Sequence, residues 1–123
     1  MKGGKMVESL EFIIKQLKKV PKGNIRVIYE PRVKPEDAWK NPPDCWRRLG
    51  INIDDADVIV SSLTEKDYVE SRQCKNKNGS GVMHIFNREV DGIPLYIKVS
   101  YVKKKMESLL VLSFHEKERP KDI

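Results

Sequence analysis

The chain has 123 residues and a mass of 14.3 kDa, which suits one domain that buries a core without disulfide or metal staples. Its 24 Lys and Arg against 18 Asp and Glu give a formal charge of +6. That excess favours polyanionic partners and is also common in proteins that never meet nucleic acid. No run approaches the roughly 20 apolar residues of a membrane helix. The opening residues lack the apolar stretch of a signal peptide, so the expected location is the cytoplasm, away from any membrane.

Met6 to Val20 reads as an amphipathic helix: Leu10, Ile13, Ile14 and Leu17 recur at helical spacing, with lysines opposite. Pro21-Lys22-Gly23 ends it. Asn24 to Tyr29 is a short strand or extended segment rich in β-branched residues. From Glu30 to Asp44, Pro31, Pro35, Pro42 and Pro43 leave room for at most a turn of helix near Glu36 to Lys40. Asp44 can cap a short helix, Cys45 to Leu49, that Gly50 stops. Trp39 and Trp46 have the chemistry to stack on bases, though anchoring a Pro-rich segment to the core is the plainer use.

Asp54 to about Leu63 forms a further helix with acidic residues in its first turn, where they complement the helix dipole. Thr64 to Asp67 resembles a capping box opening one more turn. Tyr68 to Gln73 reads as a strand and Cys74 to Gly81 as a loop. Cys45 and Cys74, with two histidines, reproduce no zinc spacing and read as reduced structural thiols.

The most informative stretch is Val82 to Glu116, which reads as three strands. In Ile93 to Lys103, Leu95, Ile97, Val99 and Tyr101 alternate with Tyr96, Lys98, Ser100 and Val102. In Ser108 to Glu116, Leu110, Leu112 and Phe114 alternate with Val111, Ser113 and His115. A four-residue loop Lys104 to Glu107 pairs Tyr101 with Leu110, Val99 with Leu112 and Ile97 with Phe114. It sets Lys98 opposite Ser113 and Tyr96 opposite His115 at roughly 5 Å between Cβ atoms.

A three-residue loop Val90-Asp91-Gly92 then places His84 beside Lys98 and Phe86 beside Tyr96, with Met83 and Ile85 in the core. A two-residue Asp91-Gly92 turn slips the pairing by one and turns His84 inward. The longer loop is expected, because it makes both faces consistent. The expected fold is α+β: N-terminal helices packed on one face of a C-terminal antiparallel sheet, in a single domain over residues 1–123.

That register collects His84, Tyr96, Lys98, Ser113 and His115 on one polar face. Two histidines, a tyrosine and a lysine supply the parts for cleaving RNA without a metal or other cofactor. A base takes the 2′-hydroxyl proton, an acid protonates the leaving 5′-oxygen, and a cation meets the phosphorane charge. Histidine serves both proton transfers because its ordinary pKa lies near neutrality, and Lys98 would hold the phosphate as a point charge. Arg72, Arg88 and Lys98 are the candidate RNA-binding cations. The plainer account makes all of these ordinary solvent-facing residues of a half-buried sheet.

Gly50 to Ser71, Leu95-Tyr96-Ile97-Lys98-Val99 and Leu110 to Lys117 together resemble the MqsR family of bacterial toxins, within the RelE-like group of messenger-RNA endoribonucleases. The resemblance implies a RelE-like toxin domain that cuts mRNA, free or on the ribosome, and is neutralised by a cognate antitoxin. The family's active-site tyrosine matches Tyr96. A family lysine falls on His115 and a family glutamine near His84. Another family lysine falls on Glu70, which reverses its charge and implies either Arg72 as the replacement cation or a weakened toxin. A non-catalytic RNA- or ribosome-binding module would use the same face, and a protein-interaction domain would use strand edges instead.

Overall fold

The structure, a computed structural model, describes residues 9–73, 81–103 and 106–121. It is an α+β fold built on a five-stranded mixed sheet. In chain order the elements are helix α1 (Leu10–Leu17), strand β1 (Arg26–Tyr29), a 3-10 turn (Pro35–Lys40), helices α2 (Asp44–Leu49) and α3 (Ile53–Ser61), and a 3-10 turn (Glu65–Asp67). Strands β2 (Tyr68–Gln73), β3 (Val82–Val90), β4 (Ile93–Lys103) and β5 (Glu107–Glu116) follow. The sheet order is β1-β5-β4-β3-β2. β1 lies parallel to β5, so the sheet is mixed where an antiparallel one was expected. Among the described residues no helix is long and apolar enough to cross a membrane. Cys74 and the segment 74–80 lie outside the described residues, while Cys45 is a buried free thiol.

Local chemistry sets the element ends. Ser9 caps α1 by accepting from Phe12 N–H at 3.1 Å. Asn52 and Asp55 form a reciprocal capping box at the start of α3. Gly50, at φ 72°, ends α2 in the left-handed conformation. The core gathers Ile13 and Leu17 of α1, Cys45 and Trp46 of α2, and Ala56 and Val60 of α3. Against them lie Phe86, Leu95, Ile97, Val99, Tyr101, Leu109, Val111 and Phe114 of the sheet.

The β3–β4 register differs from the expected one. Val90 pairs with Ile93 across a two-residue turn, and Phe86 pairs with Ile97. Asp91 and Gly92 both have positive φ, 52° and 81°, as in a type I′ turn whose twist matches that of the strands it joins. Every β3 side chain therefore changes face relative to the three-residue loop. His84 now lies on the same face as Ile97 and is fully buried, whereas Met83 and Ile85 lie on the opposite face, outside the main core.

Energetics favour this arrangement. It buries Phe86 completely, worth about 1.5 to 3 kcal/mol for a side chain of that size. It also satisfies His84, whose Nδ1 shares a hydrogen bond with Ser71 Oγ at 2.8 Å, with Tyr68 OH a further 2.8 Å from that hydroxyl. Gly92→Ala should cost about 1 to 2 kcal/mol through left-handed strain. An unchanged urea midpoint would contradict the turn assignment.

A second departure lies in β5. Tyr96↔His115, Ile97↔Phe114 and Lys98↔Ser113 pair as expected, but Val99 then faces Val111 and Tyr101 faces Leu109. Leu112 is the extra residue of a bulge and is only partly buried. The bulge switches the alternation, so Leu109 and Val111 share the core face with Phe114 while Ser113 and His115 keep the other. Of the expected Lys104–Glu107 loop, 104 and 105 lie outside the described residues, and Glu107 is paired with Lys103.

Candidate functional site

The register across four strands builds the site on the sheet face away from the main core. One row runs Asn87, Tyr96, His115, and the next runs Glu70, Ile85, Lys98, Ser113. The Tyr96 and His115 rings are 5.7 Å apart, and Lys98 Nζ lies 5.8 Å from the Tyr96 ring centroid. Three of the four expected catalytic residues thus come together. His84 does not join them, because the one-residue slip sends it through the sheet. Asn87 takes the place beside Tyr96 for the same reason, and its buried Oδ1 has no hydrogen-bond partner in the protein.

The expected RNA-binding cations divide similarly. Arg72 pairs with Met83 on the site face and is exposed, with Glu70 at 2.7 Å. That hydrogen bond raises the Arg72 pKa and lowers that of Glu70, and the Glu70 charge offsets part of the positive potential of Arg72. Arg88 lies away from the others, since the slip turns it with Leu95 toward the core side. Its guanidinium bonds both oxygens of Asp67, at 3.2 and 2.9 Å, and donates to Ser62 O at 2.8 Å, tying β3 to the end of α3. Burial alone would raise the Asp67 pKa, but the bonds from Arg88 and Thr64 bring it below its ordinary value.

Two residues of the Pro-rich connection also reach the site. Arg32 donates from Nη2 to Ser113 Oγ. Its backbone is held from both sides by one side chain: Asn41 Oδ1 accepts from Arg32 N–H at 2.7 Å, and Asn41 Nδ2 donates to Arg32 O at 2.9 Å. Trp39 meets the His115 ring edge to face at 5.3 Å. Arg48 fixes this arrangement with two 2.9 Å bonds to the Glu116 carboxylate and a further bond to Trp39 O. Burial would raise the Glu116 carboxyl, but the Arg48 bonds hold it below its ordinary value. Spacing gave no signal for Arg32, because a loop residue lands on a strand only through tertiary folding.

His115 has a defined electrostatic state. It is 5% exposed, and burial is the main reason its pKa lies below the ordinary value. Lys40 and Arg32 push the same way, while the hydrogen bond to Glu116 O and the Glu116 charge push back. His115 Nδ1 lies 2.6 Å from Glu116 O, so in the neutral ring Nδ1 carries the proton and donates to that carbonyl. Nε2 is then an acceptor, and no protein group bonds to it.

Cys45 is no competing nucleophile: burial, with Glu116 nearby, pushes its thiol up to about 12, and it donates to Phe114 O at 3.3 Å. Among the described residues no group of three or more His, Cys, Asp or Glu is placed to hold a metal ion. No family model, curated protein or solved structure matches the chain.

Proposed function

We propose that this protein is a metal-independent endoribonuclease that cuts mRNA, the toxin of a toxin–antitoxin pair with a RelE-like architecture. The observation that carries the reading is the row Tyr96–His115 with Lys98 beside it. There a neutral imidazole with its acceptor nitrogen unpartnered lies in the strand next to a phenol and an ammonium. In the reaction O2′ attacks phosphorus and the P–O5′ bond breaks, leaving a 2′,3′-cyclic phosphate and a 5′-hydroxyl. The 2′-hydroxyl proton goes to His115 Nε2. Tyr96 OH gives its proton to O5′ as the P–O5′ bond breaks and regains one from solvent, and Lys98 meets the phosphorane charge. His115 is therefore the base, and His84, buried on the other side of the sheet, takes neither proton-transfer role.

The test is cleavage of a defined RNA in excess chelator by the wild type and by Tyr96→Phe. Intact RNA in every reaction, or equal rates for the two proteins, would defeat the proposal. Its partner claim rests on the family resemblance: expression alone should arrest growth, and a cognate antitoxin should restore it.

A non-catalytic RNA- or ribosome-binding module is the second reading, favoured by how deeply His115 is covered. Both readings require phosphate contacts. With Lys98, Arg72 and Arg32 each meeting one phosphate, single-stranded RNA affinity should fall with a log–log salt slope of about −2, roughly twentyfold between 50 and 200 mM. A flat titration would count against both readings.

A further inference from the structure

A recess of about 10 Å³ lies where the Pro-rich connection crosses β5, with Arg32, Lys40, Asn41, Ser113 and His115 in its wall. Two buried atoms of these residues have no hydrogen-bond partner in the protein, Arg32 Nε and His115 Nε2. They are chemically complementary. Arg32 Nε–H can only donate, and His115 Nε2 must accept, because Nδ1 already donates to Glu116 O. Buried polar groups of native proteins are nearly all satisfied by protein or by ordered water.

Size selects the ligand. About one probe sphere, roughly 10 to 15 Å³, is what a single water needs, together with two to four polar partners. A phosphate ion is several times larger.

We infer that the recess binds one ordered water bridging Arg32 Nε–H and His115 Nε2, and that this water relays the proton from the substrate's 2′-hydroxyl to His115. The water accepts from Arg32 and donates one hydrogen to Nε2, leaving a lone pair for the 2′-hydroxyl. As O2′ bonds to phosphorus, its proton passes to the water while the water's own proton passes to Nε2. The water is regenerated, and the net transfer is one proton from substrate to imidazole. Arg32 is then the residue that seats the water, held in place by Asn41 on both sides of its backbone. The relay explains how a base 5% exposed acts on a substrate outside.

The relay rests on the ribonuclease reading, but the bridging site does not, so two measurements separate them. The first needs no RNA: a crystal structure at high resolution, with nitrogen NMR of His115, should show one water bonded to both atoms and an Nδ1–H imidazole. The second is a proton inventory of cleavage in H2O–D2O mixtures, which should bow as for two protons in flight. Arg32→Lys keeps the charge but loses the Nε–H donor. It should melt with the wild type, cleave on the order of 10²-fold more slowly because the relay is misplaced, and give a straight inventory.

A dry recess, or a straight inventory for the wild type, overturns the relay. A wild-type chain that holds the water yet leaves RNA intact overturns the ribonuclease reading and the relay with it, while the bridging site stands.

Discussion

His115→Gln should slow RNA cleavage by on the order of 10²- to 10⁴-fold, the usual contribution of one proton-transfer group, and should leave the fold intact. Glutamine fills nearly the same space, and its amide can still donate toward Glu116 O, but it takes up no proton. The pH dependence follows from the depressed pKa. His115 acts as a base only when neutral, so kcat/KM should be flat near neutrality and fall below pH 6.5, as pH drops through the folded-state value. Groups facing the imidazole are Arg32 and Lys40, which favour the neutral form, and Glu116, which opposes them.

Linkage gives the matching stability effect. The folded pKa lies below the unfolded value of about 6.5, so the unfolded chain binds the proton first. The His115 contribution is complete above that pH and is lost as pH falls through the folded value. His115→Gln should therefore flatten both the rate profile and the stability profile between pH 7 and 5. A variant that cuts at the wild-type rate would remove His115 from the mechanism. His84→Gln is the control: it should destabilise the protein by disturbing the Ser71 and Tyr68 bonds, with the kcat of the folded fraction unchanged.

Arg48→Ala should be strongly destabilising, costing about 3 kcal/mol, the low end for a broken buried ion pair because Arg48 is 24% exposed, or roughly 10 °C in Tm. The Glu116 side chain is 9% exposed and would keep a charge that has lost its main partner. Replacing both partners, Arg48→Met with Glu116→Leu, should recover most of that loss, since a well-packed apolar pair is often as good as a buried ion pair.

The single variant also releases Trp39 O, which frees the indole from the His115 ring. The imidazole should then titrate closer to its ordinary value, a shift that NMR detects directly. A wild-type melting temperature for Arg48→Ala would show that the pair contributes nothing. An unmoved His115 titration would show that Trp39 is held in place by other contacts.

Period-2 alternation was enough to find β4 and β5 and to align Tyr96 with His115 and Lys98 with Ser113, because those pairs lie next to one another near the strand ends and share one apolar face. Thr64 and Asp67, together with Gly50, mark element ends by local hydrogen bonds and left-handed backbone, so they too are legible in sequence, whereas the Asn52 cap starts α3 at Ile53, ahead of the expected Asp54. The side of the sheet taken by His84 was not. Both β3 registers give an acceptable alternation over VMHIFNRE, and the choice rests on burying Phe86 and on whether Ser71, a residue of another strand, can satisfy an imidazole.

The β5 bulge at Leu112 was equally hidden, since LLVL is apolar at every position and only packing against β4 and the core decides which residue is extra. Parallel pairing of β1 depends on an edge that exists only once β5 has formed. Arg32 reaches Ser113, and Trp39 reaches His115, across 81 and 76 positions of sequence. Sequence thus determined the strand chemistry and one row of the site. Tertiary packing decided which histidine belongs to that row and which loop covers it, because burial and long-range hydrogen bonds outweigh a strand pattern that permits either answer.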